Sequence, residues 1–358
     1  MGSRLTITPP GDFVLPRDVC SYGYFLLAPN RWNPTNRTLT RPLDLEGGVA
    51  TVVISQRGAD AEPTRRRDGT FAWACAGSPV DLKFDRAVCK REAAQAKRLV
   101  SRMLALGGDD LHEFHTLDER ARTTGHGRLF RSPTLFEDVI KTVTSCNVAW
   151  TSTIRMNQRL CEVVHPAFPS PGQLARRRAT TLRARCSVGY RDQRMIDLAR
   201  LFLAGEIDEA WLADPATPVD EVFAFLKGLP GLGPYSAANV MQLLGRYERL
   251  PIDTETFRHA KAVLGMDGTD AALSKKVEAH YARFGRHKFR RYWFELWEFY
   301  EAKRGPAWTW DPDTTGKTFT ASALKDDAGS PKKRGTDLPP GSRRKGSARS
   351  VKSGARRA

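Results

Sequence analysis

The chain has 358 residues, 41% of them hydrophobic, and a formal charge of +17 at pH 7. Such a length can bury a sizeable core in two structural units plus a tail, and such a charge demands an anionic partner, nucleic acid before membrane. No apolar run approaches the ~18 residues that span a bilayer, no secretory signal is visible, and the six cysteines are scattered without a C-x-x-C, so they read as reduced thiols of a cytoplasmic protein.

Residues 1–125 read as a β-containing N-terminal domain. Residues 51–55 are short and β-branched, and residues 71–75 and 80–84 are further strand candidates, punctuated by turns at Arg57-Gly58 and Asp68-Gly69. Residues 22–29 are apolar and aromatic and read as core. Residues 91–106 read as a helix with Ala96, Leu99, Val100, Met103 and Leu104 on its apolar side. His112-Glu113-x-His115 misses the i,i+4 spacing of two ligands on one helical face and has no evident third ligand, so surface or packing roles are expected and no metal.

Residues 126–310 read as a helical unit. Ser132 resembles an N-cap with Pro133 at the first turn of a helix running towards Val143. Ser145-Cys146-Asn147 follows, then a helix over 148–163 with Val148, Trp150, Ile154, Met156 and Leu160 on one side. Read locally, Asn147 caps that helix. In Val188-Gly189-Tyr190-Arg191, the local role of Tyr190 is an aromatic buried at a helix start. Arg191 and Arg194 either bind phosphates or form a solvated face.

The central signal is Leu229-Pro230-Gly231-Leu232-Gly233-Pro234-Tyr235-Ser236, flanked by an amphipathic helix over 219–227 and a second helix over 236–245. Gly-x-Gly bounded by prolines suits a sharp hairpin, since glycine alone takes positive φ without strain. Backbone N–H groups at a helix N-terminus, with no side chain in front, suit a phosphate. One helix later comes Leu250-Pro251-Ile252-Asp253-Thr254-Glu255-Thr256-Phe257, where Asp253 is placed to cap the next helix and to stay ionised beside its N-terminus. Tyr292, Trp293, Phe294, Leu296, Trp297, Phe299 and Tyr300 crowd one long helix, and such a stripe is mostly packing. Residues 311–358 form a basic tail expected to be disordered; over 316–358, twelve Lys/Arg stand against three acids, a net +9.

The hairpin and the Asp-containing turn together resemble the helix-hairpin-helix DNA glycosylase superfamily, including its 3-methyladenine and 8-oxoguanine branches. The resemblance spans residues 128–305 and implies an α+β fold, with a mostly helical glycosylase core behind a small β-rich domain. It implies a base-excision enzyme acting on duplex DNA as a monomer. Gly231, Gly233, Tyr235 and Ser236 would lie at the DNA backbone, and Asp253 would be catalytic, stabilising the oxocarbenium-like sugar when a flipped base leaves. Tyr190 would wedge between bases with Arg191 beside it, and Asn147 would lie near the vacated space. Trp150, Phe257 and Trp293 are candidates for the base pocket.

Members that also cut the strand carry lysine where this chain has Tyr235, and a phenol forms no imine, so the resemblance implies a monofunctional enzyme. No cysteine follows Cys186, so the iron–sulfur loop of some members is excluded; no cofactor is expected beyond room for a monovalent cation at the hairpin. Two alternatives stay open: a damage-binding protein without catalysis, and a bifunctional 8-oxoguanine glycosylase/lyase. The damaged base, alkylated or oxidised, is not readable. The expected location is cytoplasmic and nucleoid-associated, or nuclear in a eukaryotic host.

Overall fold

The structure, a computed structural model, describes residues 2–67, 70–107 and 110–320. Its strands are β1 (Arg4–Ile7), β2 (Arg31–Asn33), β3 (Thr38–Leu45), β4 (Gly48–Gln56), β5 (Thr64–Arg65), β6 (Phe71–Ala72) and β7 (Val80–Phe84). Five of them form an antiparallel sheet in the order β1-β7-β4-β3-β2, while β5 and β6 pair separately. The β3–β4 register sets Leu39 opposite Ile54 and Leu43 opposite Ala50, so alternate residues of both strands reach one buried face. The sequence shows β4, β6 and β7 but hides β3, because Arg41 and Pro42 break its apolar alternation. Arg41 is nonetheless buried, paired with Glu137 at 3.0 Å. Residues 73–75, expected to extend β6, turn away instead, and the Asp68-Gly69 turn lies outside the described residues.

The helices are α1 (Leu15–Val19), α2 (Lys90–Met103), α3 (Asp110–Leu117), α4 (Glu119–Thr124), α5 (Leu135–Ser145), α6 (Trp150–Val163), α7 (Pro171–Ala175), α8 (Ala179–Cys186), α9 (Asp192–Leu203), α10 (Glu209–Ala213), α11 (Val219–Gly228), α12 (Pro234–Leu244), α13 (Thr254–Ala262), α14 (Asp270–Tyr281), α15 (Lys288–Arg304) and α16 (Thr315–Thr318). None of the described helices is long and apolar enough to cross a membrane. The α5 cap is Thr134, not Ser132: the Thr134 side chain accepts from the Glu137 amide at 3.2 Å, while the Ser132 amide donates to Asp138 at 2.8 Å. His115 packs with a 2.7 Å contact to the His126 carbonyl, and Glu113 forms a surface ion pair with Arg286.

Two hydrophobic cores organise the chain. One joins the sheet's buried face, residues 13–27, α2 and the aromatic stripe of α15; the other is built by α5 to α12. Helix α12 serves both, giving Leu243 to the first and Ala237, Val240, Met241 and Leu244 to the second. Residues 311–320, expected to begin a disordered tail, instead fold back: α16 forms, Phe319 is 5% exposed, and its ring stacks on Trp310 at 5.0 Å. One large ring, Phe319, packing on Trp310 outweighs the polar composition of the stretch. Residues 321–358 lie outside the described residues.

Candidate active site

The hairpin forms between α11 and α12 as the glycines require, but the two glycines differ. Gly231 has φ +81°, and a Cβ there would lie 2.9 Å from the Arg194 Cδ. Gly233 has φ −101° and caps α12 from an extended conformation, with open space where its side chain would be. Ser236 is buried. Its Oγ accepts from the Gly233 amide at 2.8 Å and lies 3.2 Å from the Gly233 carbonyl, so this side chain closes the hairpin rather than facing outward. What α12 offers an anion is its first amides, those of Tyr235 and Ser236, which no earlier turn of helix can satisfy.

Beside the hairpin lies an exposed ring. Tyr190 is 52% exposed, with the guanidinium groups of Arg191 and Arg194 at 4.5 and 5.0 Å from its ring centre. It is therefore not the buried aromatic of the local reading. Arg191 is a correction of both expectations for it. It is 5% exposed, and its guanidinium donates to the carbonyls of Val143, Val188 and Cys146. Neither a phosphate nor solvent competes for it; it ties Tyr190 to the end of α5. Asn147 does not cap α6, whose cap is Ala149. It is exposed with φ +53°, next to Val148, which the sequence placed on the apolar side of the helix but which lies exposed ahead of it. Contacts thus run from the Asn147 turn through Arg191, Tyr190 and Arg194 to Gly231, bringing residues 84 positions apart onto one edge.

That edge opens on a cavity of about 260 Å³. Helix α12 presents Tyr235, Asn239 and Gln242 to it, spaced i, i+4, i+7 on one face. The turn into α13 presents Asp253 and Glu255. Aromatic walls come from Tyr22, Tyr24, Trp150, Tyr292, Trp293, Tyr300 and Phe319. Trp150 and Trp293 are therefore brought into the pocket, each anchored by its indole N–H, Trp150 to the Gly316 carbonyl at 2.9 Å and Trp293 to the Ser21 carbonyl at 2.8 Å. Phe257 is not: four residues past Asp253 it has rotated into the first core. Tyr22 and Tyr24, read as core, are buried yet line the cavity. The Tyr22 hydroxyl donates to Asn239 at 2.7 Å, and the Asn239 amide donates to Thr142 at 2.9 Å.

Asp253 caps α13 as its sequence suggests. Its Oδ1 accepts from the Thr256 amide at 2.9 Å and the Thr256 hydroxyl at 3.1 Å, and Thr256 Oγ1 is 2.9 Å from the Tyr292 hydroxyl. Its other oxygen has no such partner among the described residues. Burial raises its pKa above the usual aspartate value, outweighing the amides of Thr256 and Glu255, so desolvation exceeds the helix-terminus effect expected from the sequence. Tyr235 shares the pocket; burial and then the nearby Asp253 charge push its phenol well up, keeping it protonated. Among the described residues no lysine lines the cavity: Lys227 and Lys261 are exposed, and Lys141 is buried against Glu137 at 2.7 Å. Among the described residues no group of three or more His, Cys, Asp or Glu is arranged to hold a metal ion.

A hairpin presenting helix amides, an exposed ring and a capping carboxylate at an aromatic cavity thus lie together on one edge of the molecule. No family model and no curated protein matches the chain by sequence. Solved structures do match by fold. The 3-methyladenine DNA glycosylase of Archaeoglobus fulgidus aligns with TM-score 0.59 at 15% identity, over 82% of this chain and 99% of its own. The 8-oxoguanine glycosylase/lyase of Clostridium acetobutylicum aligns with TM-score 0.57 at 15% identity in its apo form, over 83% and 97%. The same enzyme with duplex DNA carrying cytosine opposite 8-oxoguanine gives 0.57 at 14%, over 84% and 98%. The chain has the helix-hairpin-helix glycosylase fold, over nearly the full length of each neighbour.

Proposed function

We propose that this protein is a monofunctional DNA N-glycosylase of base excision repair. The observation that carries the reading is Asp253, held by Thr256 at the wall of an aromatic cavity beside the hairpin, with Tyr235 and, among the described residues, no lysine lining that cavity. In this reading the α12 amides hold a backbone phosphate of duplex DNA, and Tyr190 and the Asn147 turn occupy the space left by the flipped base. The open Asp253 oxygen stabilises positive charge at C1′ as the glycosidic electron pair leaves with the base. It also orients the water whose oxygen then bonds to C1′, with the proton passing to solvent or base. Without an amine at C1′ no Schiff base forms, so an abasic site remains and the strand stays intact.

The pocket's rings favour an alkylated purine carrying positive charge, through stacking and cation–π contact. The enzyme would act as a monomer, and its chain charge of +17 supports salt-sensitive DNA binding. The test is base release from duplexes bearing 3-methyladenine-type, hypoxanthine, 8-oxoguanine or uracil lesions, with and without alkali, for the wild type and Asp253→Asn. Release with alkali-dependent nicking, lost in the variant, is the expected result. Tight binding without release would make it a damage-binding protein, and borohydride trapping of a protein–DNA adduct would make it a lyase.

A further inference from the structure

Asp253 is not the only carboxylate in the cavity. Glu255, two residues later, also lines it and has no role in the mechanism above. Its side chain is locked from behind: Oε1 accepts from the Tyr300 hydroxyl at 2.8 Å and from Arg258 Nε at 2.6 Å. Arg258 in turn lies over the Phe299 ring at 4.3 Å. All the hydrogen bonds that Glu255 accepts among the described residues fall on that one oxygen. The Glu255 side chain is 25% exposed and Oε2 accepts from no protein group among the described residues, so this oxygen is open to whatever enters the cavity. A second orphan acceptor stands on α12. Gln242 also lines the cavity, is 1% exposed, and its Oε1 is buried with no hydrogen bond. Burial raises the Glu255 pKa, so holding its charge in the empty pocket is unfavourable and a donor from the ligand would relieve that cost.

Resting on the glycosylase reading, we propose that Glu255 is a specificity-determining residue whose free oxygen accepts an N–H from the exocyclic amino group of the flipped base. The cavity would then prefer amino-bearing bases over those of the same size and shape without that donor. The aromatic walls recognise any flat ring and cannot draw the distinction; a fixed acceptor can, because an apolar group placed against it strips water from the free carboxylate oxygen without replacing the lost hydrogen bond.

The test uses the full chain and free bases, so it does not depend on catalysis. Trp150 and Trp293 line the cavity, and their fluorescence reports its filling. Titration with 3-methyladenine and with 3,6-dimethylpurine, in which a methyl group replaces the amino group, should give wild-type affinities differing by about 10- to 100-fold, the range of a hydrogen bond to a charged group. In Glu255→Met the ratio should fall below about 3-fold, with Glu255→Gln between. If Glu255→Met does not fold, Glu255→Asp, which withdraws the carboxylate by one methylene, should show the same loss of discrimination. An unchanged ratio in folded variants overturns the proposal, as does a wild type that binds neither base or both equally. Failure of base release with retained discrimination would instead overturn the catalytic reading and leave Glu255 in place.

Discussion

One side of the cavity is built by α12 and the start of α13, within 21 residues of sequence from Tyr235 to Glu255; the other is built by Tyr22 and Tyr24 near one end of the chain and Phe319 near the other. In the proposed reading the first side carries the chemistry. A hairpin sets the N-terminus of α12, the helix repeat aligns Tyr235, Asn239 and Gln242, and a short turn delivers Asp253. The second side carries shape, and nothing local determines it. It exists because Tyr22 packs on Trp293 at 4.7 Å and Phe319 packs on Trp297 at 5.6 Å. Under the proposed function the contrast separates what must be positioned to break a bond from what must fit around a base, and it can be tested one side at a time.

The largest effect belongs to the first side. Asp253→Asn should lower single-turnover base release by about 100-fold or more, as loss of a transition-state charge partner does, while DNA binding changes little. Because burial raises this carboxyl, wild-type activity should fall as pH drops through a value above the ordinary aspartate range. An acid limb at or below that range would show that the pocket is wetter than its walls suggest. On the second side, Phe319→Ala should cost about 3–5 kcal/mol of stability by opening a cavity among Trp150, Tyr300 and Trp310. Urea denaturation measures that loss, and base affinity should fall with it. A neutral result would mean that residues 311–320 do not build this wall in solution.

Gly231→Ala is a smaller break at the hairpin. Positive φ costs an alanine about 1–2 kcal/mol, and the new methyl meets Arg194. DNA affinity should drop by about tenfold, measured by anisotropy at fixed salt, whereas Gly233→Ala, in open space and at negative φ, should be milder. The smallest change lies behind the second side. Burial lifts the Glu301 carboxyl to about 7, and its Oε1 accepts from the Ala307 amide at 2.8 Å. The fold therefore favours the protonated acid, and that stability is present at pH 5 and lost as pH rises through about 7. Glu301→Gln keeps an acceptor for Ala307 and should raise Tm at pH 8 while leaving it nearly unchanged at pH 5, read by calorimetry.

The legible parts of this protein are those whose physics is local. Gly231 needs positive φ, Asp253 caps the helix that follows it, and α11 and α12 show their apolar periodicity, so hairpin, turn and helical core could be read without coordinates. Polar residues recurring at 235, 239 and 242 on a helix otherwise buried were a signal for the pocket face that sequence reading passed over. Arg191 was misread because a charged side chain in a basic chain reads as phosphate-binding or solvated, and only packing shows three carbonyls around its guanidinium. Phe257 was misplaced because the facing of a residue within one helical turn depends on how the helix is seated.

By itself, then, the amino-acid order determined the hairpin, the capping carboxylate and the tyrosine at position 235, because each depends on backbone conformation or residue type at one place. Tertiary structure alone decided that Tyr22, Trp150, Trp293 and Phe319 share a cavity, that residues 311–320 close it, and that Asp253 loses its solvation there. Those outcomes depend on which apolar surfaces, far apart in the chain, find each other when water is excluded.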